Sequence, residues 1–336
     1  MSTRRRLWAL LAVTAAVGAV VIVIGLRERA HPPRRAASAT GSQSTTHTAS
    51  EPNGAVTTTV TTTPGGPPWS VRQATLAFVD PTRESPARGS TTGHSGRVLR
   101  TTLRWPVSSN GSVASGRLPL IVFAHGYDLS AATYAAMLDA LTRAGIVVAA
   151  PEFPGESMWH SGPAVESDLV NEPCDMEYVA ASLERDPPFA LRTALRNAPL
   201  TVVGHSDGAD AAASAGYASS CASVPIRGVV ALSADDVPIT DSFRFGNAPP
   251  LLAMTGTADE VTPPTRSHAL YQEAPGPAWL VTIDGGSHLG PFTTDPDLPR
   301  ISRIIADFVL MVSNRDTSAR VRLAVAAGGR IHLQSR

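Results

Sequence analysis

Short apolar runs recur along the chain, at residues 118–124, 199–203, 229–232, 249–254 and 278–283. Each is too short for a buried helix, and continuous apolar character of this length marks a strand covered on both faces. Between these runs the pattern turns to helical spacing, most clearly at 131–145 and 168–184. The alanine-rich stretch 209–217 suits a helix directly after a strand. Two further runs, 74–79 and 97–105, read as edge strands. Strands alternating with helices predict an α/β fold, a mostly parallel sheet flanked by helices. The predicted domain covers residues 69–315, about 245 residues, enough for one large core. Only a short loop separates the strand ending near Asp236 from the next at Pro250, so little or no lid is expected. The pattern assigns no role to the tail, residues 316–336.

The first 68 residues read differently. Arg4, Arg5 and Arg6 precede an apolar segment at 7–26, about the twenty residues needed to cross a bilayer. A cleavable signal normally has a shorter apolar region and a nearby small-residue site. The closest such site, Ala37-Ser38-Ala39, lies beyond Arg27, Arg29, Arg34 and Arg35. An uncleaved signal-anchor is therefore preferred to a cleaved signal peptide. Residues 1–36 are expected to form a membrane segment with basic flanks, and arginine on both sides leaves its orientation open. Residues 37–68, rich in Ser, Thr, Gly and Pro, cannot bury enough apolar surface to fold and read as an extended linker. The expected location is extracytoplasmic and membrane-anchored, with secretion as the alternative.

Chemistry enters at Gly204-His205-Ser206-Asp207-Gly208, which places a serine between two glycines at the end of an apolar strand and before a helix. Strand, G-x-S-x-G and helix make a nucleophile elbow, with the serine hydroxyl exposed on a tight turn. Alone, the pattern also fits an ordinary turn with Ser206 or Asp207 as helix cap. A serine needs a base to take its proton and an acid to orient that base. Asp259 follows one downstream strand and His288 the next, giving the order Ser206, Asp259, His288. Asp235 and Asp236 follow an earlier strand and are the alternative acids. Upstream, the strand at 118–124 ends in His125-Gly126-Tyr127. In this layout one oxyanion donor comes from the loop after that strand and the other from the residue after the nucleophile. The assigned donors are the backbone N–H groups of Tyr127 and Asp207.

These residues resemble an α/β-hydrolase of the group that holds dienelactone hydrolase, chlorophyllase, bacterial platelet-activating-factor-acetylhydrolase-like proteins and cutinase-like polyester hydrolases. The likeness rests on 122–127, on 145–155, on the elbow, on the 256–259 loop and on Ser287-His288, and spans roughly residues 70 to 315. It implies a serine ester hydrolase, carboxylesterase- or lipase-like, working through an acyl-enzyme without a cofactor. The implied substrate is a small-molecule, lipid or polymer ester. Tyr127 and Trp159 are candidates to line the cleft. Two departures stand out: no tryptophan follows the strand ending at 232–235, and Asp207 occupies the elbow position where methionine or glutamine is more familiar. An envelope acyltransferase, or a membrane-tethered binding protein without chemistry, are the alternative readings.

Charge and cysteines narrow the picture further. Net charge is zero, with 28 basic and 28 acidic side chains, and every basic residue is arginine. This argues against nucleic acid as a partner, which needs a local excess of positive charge. No histidine or cysteine spacing suggests a metal site. The two cysteines, Cys174 and Cys221, read outside the cytoplasm as a disulfide, the alternative being two buried thiols.

Overall fold

The computed structural model describes residues 69–218, 221, 224–235, 248–274 and 276–336. The expected membrane segment, the linker, Asp236 and most of the stretch on which the absence of a lid was inferred lie outside the described residues. Among the described residues no helix is long and apolar enough to cross a membrane.

In chain order the elements are β1 (Ser70–Ser85), β2 (His94–Val107), β3 (Leu120–Ala124), α1 (Ala135–Arg143), β4 (Val147–Glu152), α2 (Glu172–Arg185), α3 (Arg192–Leu195), β5 (Leu200–His205), α4 (Asp207–Tyr217), β6 (Ile226–Leu232), β7 (Leu251–Gly256), α5 (Pro264–Glu273), β8 (Ala278–Ile283), α6 (Gly290–Thr293), α7 (Leu298–Val312), α8 (Ala319–Ala324) and β9 (Ile331–Ser335). They build a nine-stranded sheet in the order β1-β2-β4-β3-β5-β6-β7-β8-β9. From β4 to β8 neighbouring strands run parallel, while β1, β2 and β9 are antiparallel to their neighbours. The expected α/β sheet is present.

Side chains alternate across each strand, so the sheet separates two cores. Leu120, Val122 and Ala124 of β3 face one layer with α2, α4 and α5, where Met176, Val179, Ala211 and Leu270 pack. Ile121 and Phe123 face the other, against α1 and α7. Helix α7 presents Ile301, Ile304, Ile305, Phe308 and Val309 to that core, the i, i+3, i+4, i+7, i+8 stripe of an amphipathic helix. Cys174 on α2 and Cys221, beyond the end of α4, are joined as a disulfide with Cα atoms 5.5 Å apart.

Three boundaries differ from the sequence reading. Strands β1 and β2 are longer than 74–79 and 97–105, because alternation continues outward and the hairpin pairs Ser70 with Val107 through Ser85 with His94. Of the two only β1 is an edge strand, since β4 pairs with the other side of β2. Helix α2 starts at Glu172, with Pro at its first turn, after a 3-10 turn at Glu166–Asn171. The tail after residue 315 carries α8 and β9, and β9 pairs with β8 from Ile283–Ile331 to Trp279–Ser335. Its strand is too short and too polar to show in a periodicity scan, and only the exposed edge of β8 makes it a strand.

Arg97 on β2 anchors the hairpin to α2. Its guanidinium is fully buried and bonds both Asp175 (2.7 and 2.8 Å) and Asp168 (2.6 and 3.0 Å). Asp175 also has Arg83 at 2.7 Å, so removing Arg97 leaves Asp168 as the buried carboxylate without its ion-pair partner, at a cost of about 3–5 kcal/mol. Arg97→Met should therefore lower stability by about that amount in urea unfolding. Adding Asp168→Asn should restore most of it, since Asp175 keeps Arg83; equal stability of wild type and Arg97→Met would refute this account.

Candidate active site

Tyr127, Ser206, Asp207, Asp259 and His288 follow the carboxyl ends of β3, β5, β7 and β8. At the end of β5 the chain turns into α4 at Ser206, whose φ of 56° and ψ of −128° are rare for a residue with a side chain. The turn brings α4 so close to the sheet that glycine is required on both sides. A Cβ on Gly204 would overlap the Gly208 carbonyl, and one on Gly208 would overlap that of Ala124. The Ser206 N–H donates to Leu232 O at 3.0 Å, and its carbonyl accepts from Ala209 N–H at 2.7 Å. Both main-chain groups of the strained residue are thus satisfied.

Asp259, in the loop after β7, bonds His288 Nδ1 through both carboxylate oxygens, at 3.0 and 2.9 Å. The loop supplies further donors: Val261 N–H at 3.0 Å and Thr262 N–H at 2.8 Å reach the same carboxylate. Burial alone would raise the Asp259 pKa, but the bonds from His288 and Thr262 outweigh it and hold it at about 2. With Nδ1 committed to the carboxylate, Nε2 is the nitrogen left to act as a base. Among the described residues no hydrogen bond joins Asp235, the alternative acid, to His288. The His288 main chain is held as well: its N–H donates to Glu260 Oε2 at 3.3 Å, and its carbonyl lies 3.0 Å from His205 Nε2.

On the β3 side, His125 fixes the peptide between Gly126 and Tyr127. His125 Nε2 accepts from Phe153 N–H at 3.2 Å, so Nδ1 carries the proton and donates to Gly126 O at 3.0 Å. Leu129 N–H reaches the same oxygen at 3.1 Å. In a planar trans peptide N–H and C=O point opposite ways, so the Tyr127 N–H is turned away from these donors. Tyr127 is 44 % exposed, and its hydroxyl donates to Ala164 O at 3.3 Å.

Asp207 opens α4 and is nearly buried. Burial, reinforced by Glu166 and Asp235, raises its carboxyl to about pH 6 against the pull of His288 and of its own N–H. Glu156 and Glu172 are wholly buried within reach of its charge. Burial pushes both carboxyls well above the ordinary carboxylate range, and negative neighbours push them further. No sequence motif marked these two, which meet only through folding. Trp159 is half exposed, with the Arg100 guanidinium 4.3 Å from its ring centre. It borders a cavity of about 320 Å³ shared with Arg88, His94 and His160. None of Ser206, Asp259 and His288 lines that cavity.

A family model described as the Alpha/beta hydrolase family matches residues 121–334, from β3 to β9. The chain belongs to the alpha/beta hydrolase family. No curated protein matches the sequence. Membership of this hydrolase family supports a hydrolase, and the match takes in β9, so the tail that the sequence pattern left without a role lies within the family's extent.

The elevated Asp207 pKa has a consequence for stability. A carboxyl that binds its proton more tightly when folded favours the native state most below its unfolded pKa, here 3.8. That stability is lost as pH rises toward about 6 and stays lost above it. Asp207→Asn should therefore unfold at higher denaturant than wild type at pH 8, by about 1–3 kcal/mol, with no gain at pH 4. A gain of the same size at both pH values would show that ionisation of Asp207 is not its source.

Proposed function

We propose that this protein is a serine ester hydrolase in which Ser206 is the nucleophile, His288 the general base and Asp259 the residue that orients it. The observation that carries this reading is the Asp259–His288 bond on the loops beside the strained Ser206 turn. His288 Nε2 takes the Ser206 hydroxyl proton as Oγ attacks the ester carbonyl carbon. The tetrahedral oxyanion accepts from the Tyr127 and Asp207 N–H groups. Its collapse expels the alcohol, which takes the proton from His288. Water, activated by the same base, then releases the acid and restores Ser206. Asp259 stays ionised throughout, since its pKa of about 2 lies far below working pH.

The elbow, the His125-Gly126 loop and the Asp259 and His288 loops favour a place near the dienelactone hydrolase, chlorophyllase and cutinase-like group. The catalytic domain is proposed to begin near residue 69 and to stand outside the membrane, tethered by residues 7–26 through the linker. The Cys174–Cys221 bridge favours an oxidising compartment.

Labelling by a fluorophosphonate probe tests the chemistry. Wild type should be labelled and Ser206→Ala should not, with ester turnover falling by several orders of magnitude. Asp259→Asn should lose about 10⁴-fold in kcat while remaining folded, because the imidazole loses the partner that sets its tautomer. Asp235→Asn should be mild. Retention of most activity by Ser206→Ala would overturn the mechanism, and a severe Asp235→Asn with a mild Asp259→Asn would move the acid. For the location, the intact protein should sediment with membranes and a fragment starting at Pro68 should be soluble and active. A mature N-terminus at Thr40 would instead show a cleaved signal.

A further inference from the structure

A second set of hydrogen bonds runs beneath the candidate site and touches none of the reacting atoms. Gly126 N–H lies 3.2 Å from Tyr134 Oη, Tyr134 Oη lies 2.8 Å from His205 Nδ1, and His205 Nε2 lies 3.0 Å from His288 O. Gly126, Tyr134 and His205 are buried, and the His205 ring packs 4.6 Å from that of His288 and 5.3 Å from that of Phe292. The two ends dictate the direction of every link. A carbonyl can only accept, so His205 Nε2 must carry a proton; Nδ1 of the neutral ring must then accept, so the Tyr134 hydroxyl donates to it. The Tyr134 oxygen is thereby free to accept from the Gly126 N–H, which can only donate. The chain is polarised from Gly126 to His288 with no alternative arrangement.

We propose that Tyr134 and His205 are positioning residues, a buried strut that sets the oxyanion loop and the base loop in register across the nucleophile turn. The strut joins three loops that carry separate roles: Gly126 precedes the oxyanion donor Tyr127, His205 precedes Ser206, and His288 supplies the base. Gly126 approaches so closely that a Cβ there would lie 3.1 Å from Ser206 Cβ and 3.3 Å from His205 Nδ1. Small changes in the tilt of the His205 ring therefore move both neighbours. Burial, reinforced by His288, drives the His205 pKa down to about 3, so the strut keeps one protonation state at working pH. Its catalytic consequence rests on the serine hydrolase reading, while its structural consequence does not.

The experiment compares full-length wild type, Tyr134→Phe, His205→Gln and the double variant. Tyr134→Phe keeps the ring that packs on Phe123 (centroids 4.8 Å apart) and removes only the hydroxyl. We expect kcat to fall about 10–100-fold with KM within about threefold, as for a displacement of catalytic groups. The double variant should be no worse than the poorer single one, because both break one strut. Nuclear magnetic resonance of labelled glycine and histidine supplies a readout independent of activity. In wild type His205 should be a single Nε2–H tautomer that does not titrate between pH 5 and 9. In Tyr134→Phe both the Gly126 amide and the His288 carbonyl resonances should move. If Tyr134→Phe does not fold, His205→Gln carries the same reading from the other end, with the Gly126 amide as reporter. A response confined to the Gly126 amide, multiplicative kinetic losses in the double variant, or kcat within twofold of wild type would overturn the proposal. Absence of fluorophosphonate labelling in wild type, with the resonance coupling intact, would instead overturn the serine hydrolase reading and leave the strut standing.

Discussion

The backbone of Ser206 occupies a region that costs on the order of 1–3 kcal/mol for a residue with a side chain, and the surrounding structure is arranged to hold it there. Strand β6 accepts its N–H, the first turn of α4 donates to its carbonyl, and Gly204 and Gly208 let strand and helix close upon each other. The strained residue stands at the carboxyl edge of the sheet, after β5. The same turn aims the preceding side chain, His205, inward between Tyr134 and His288. One unfavourable conformation thereby sets the nucleophile candidate, which is buried to 8 % exposure and not open as the elbow pattern predicts, and the contact beneath it.

Buried charge is handled in two ways on one side of the sheet. At Arg97, the guanidiniums of Arg97 and Arg83 and the carboxylates of Asp168 and Asp175 compensate one another, and the result fastens β1 and β2 to the start of α2. Nearer the site, no arginine among the described residues pairs with Asp207, Glu156 or Glu172, and burial shifts their protonation instead. Asp259 is the contrast. Its side chain is also withdrawn from water, yet four donors keep it ionised. Hydrogen bonds to the carboxylate set Asp259 apart from Glu156 and Glu172, whose carboxylate oxygens have no hydrogen-bond partner among the described residues.

The sheet ends show how the parallel core is closed. The matched family region begins within β3, and β1 and β2 lie ahead of it. β2 pairs antiparallel onto β4 and β1 onto β2, covering that side, while β9 returns to cover β8. Arg322 and Arg330 fasten the final segment through Asp307, Asp316, Asp295 and Asp297. Across α2 and α4 the disulfide adds a covalent tie.

The fold class, the order of strands and helices, and the positions of Ser206, Asp259 and His288 after their strands were legible in the sequence alone. Strands buried on both faces must be continuously apolar, and a tight turn into a helix must be glycine-flanked, so both leave local marks. The Asp259–His288 pairing was legible only as chain order; their approach depends on β7 and β8 lying side by side. Other features leave no local mark at all. The strand at Ile331–Ser335 is half polar and becomes a strand because the β8 edge offers unpaired backbone groups. Tyr134 reads as one more apolar position of a helical stretch, and His205 as the variable residue of a motif. Glu156 and Glu172 look like solvated charges until folding buries them together. Periodicity and turn chemistry are properties of neighbours along the chain, and the sequence determined what depends on them. Contacts between residues tens of positions apart, and the protonation states those contacts impose, were decided by the tertiary structure because only it sets distance and exclusion of water.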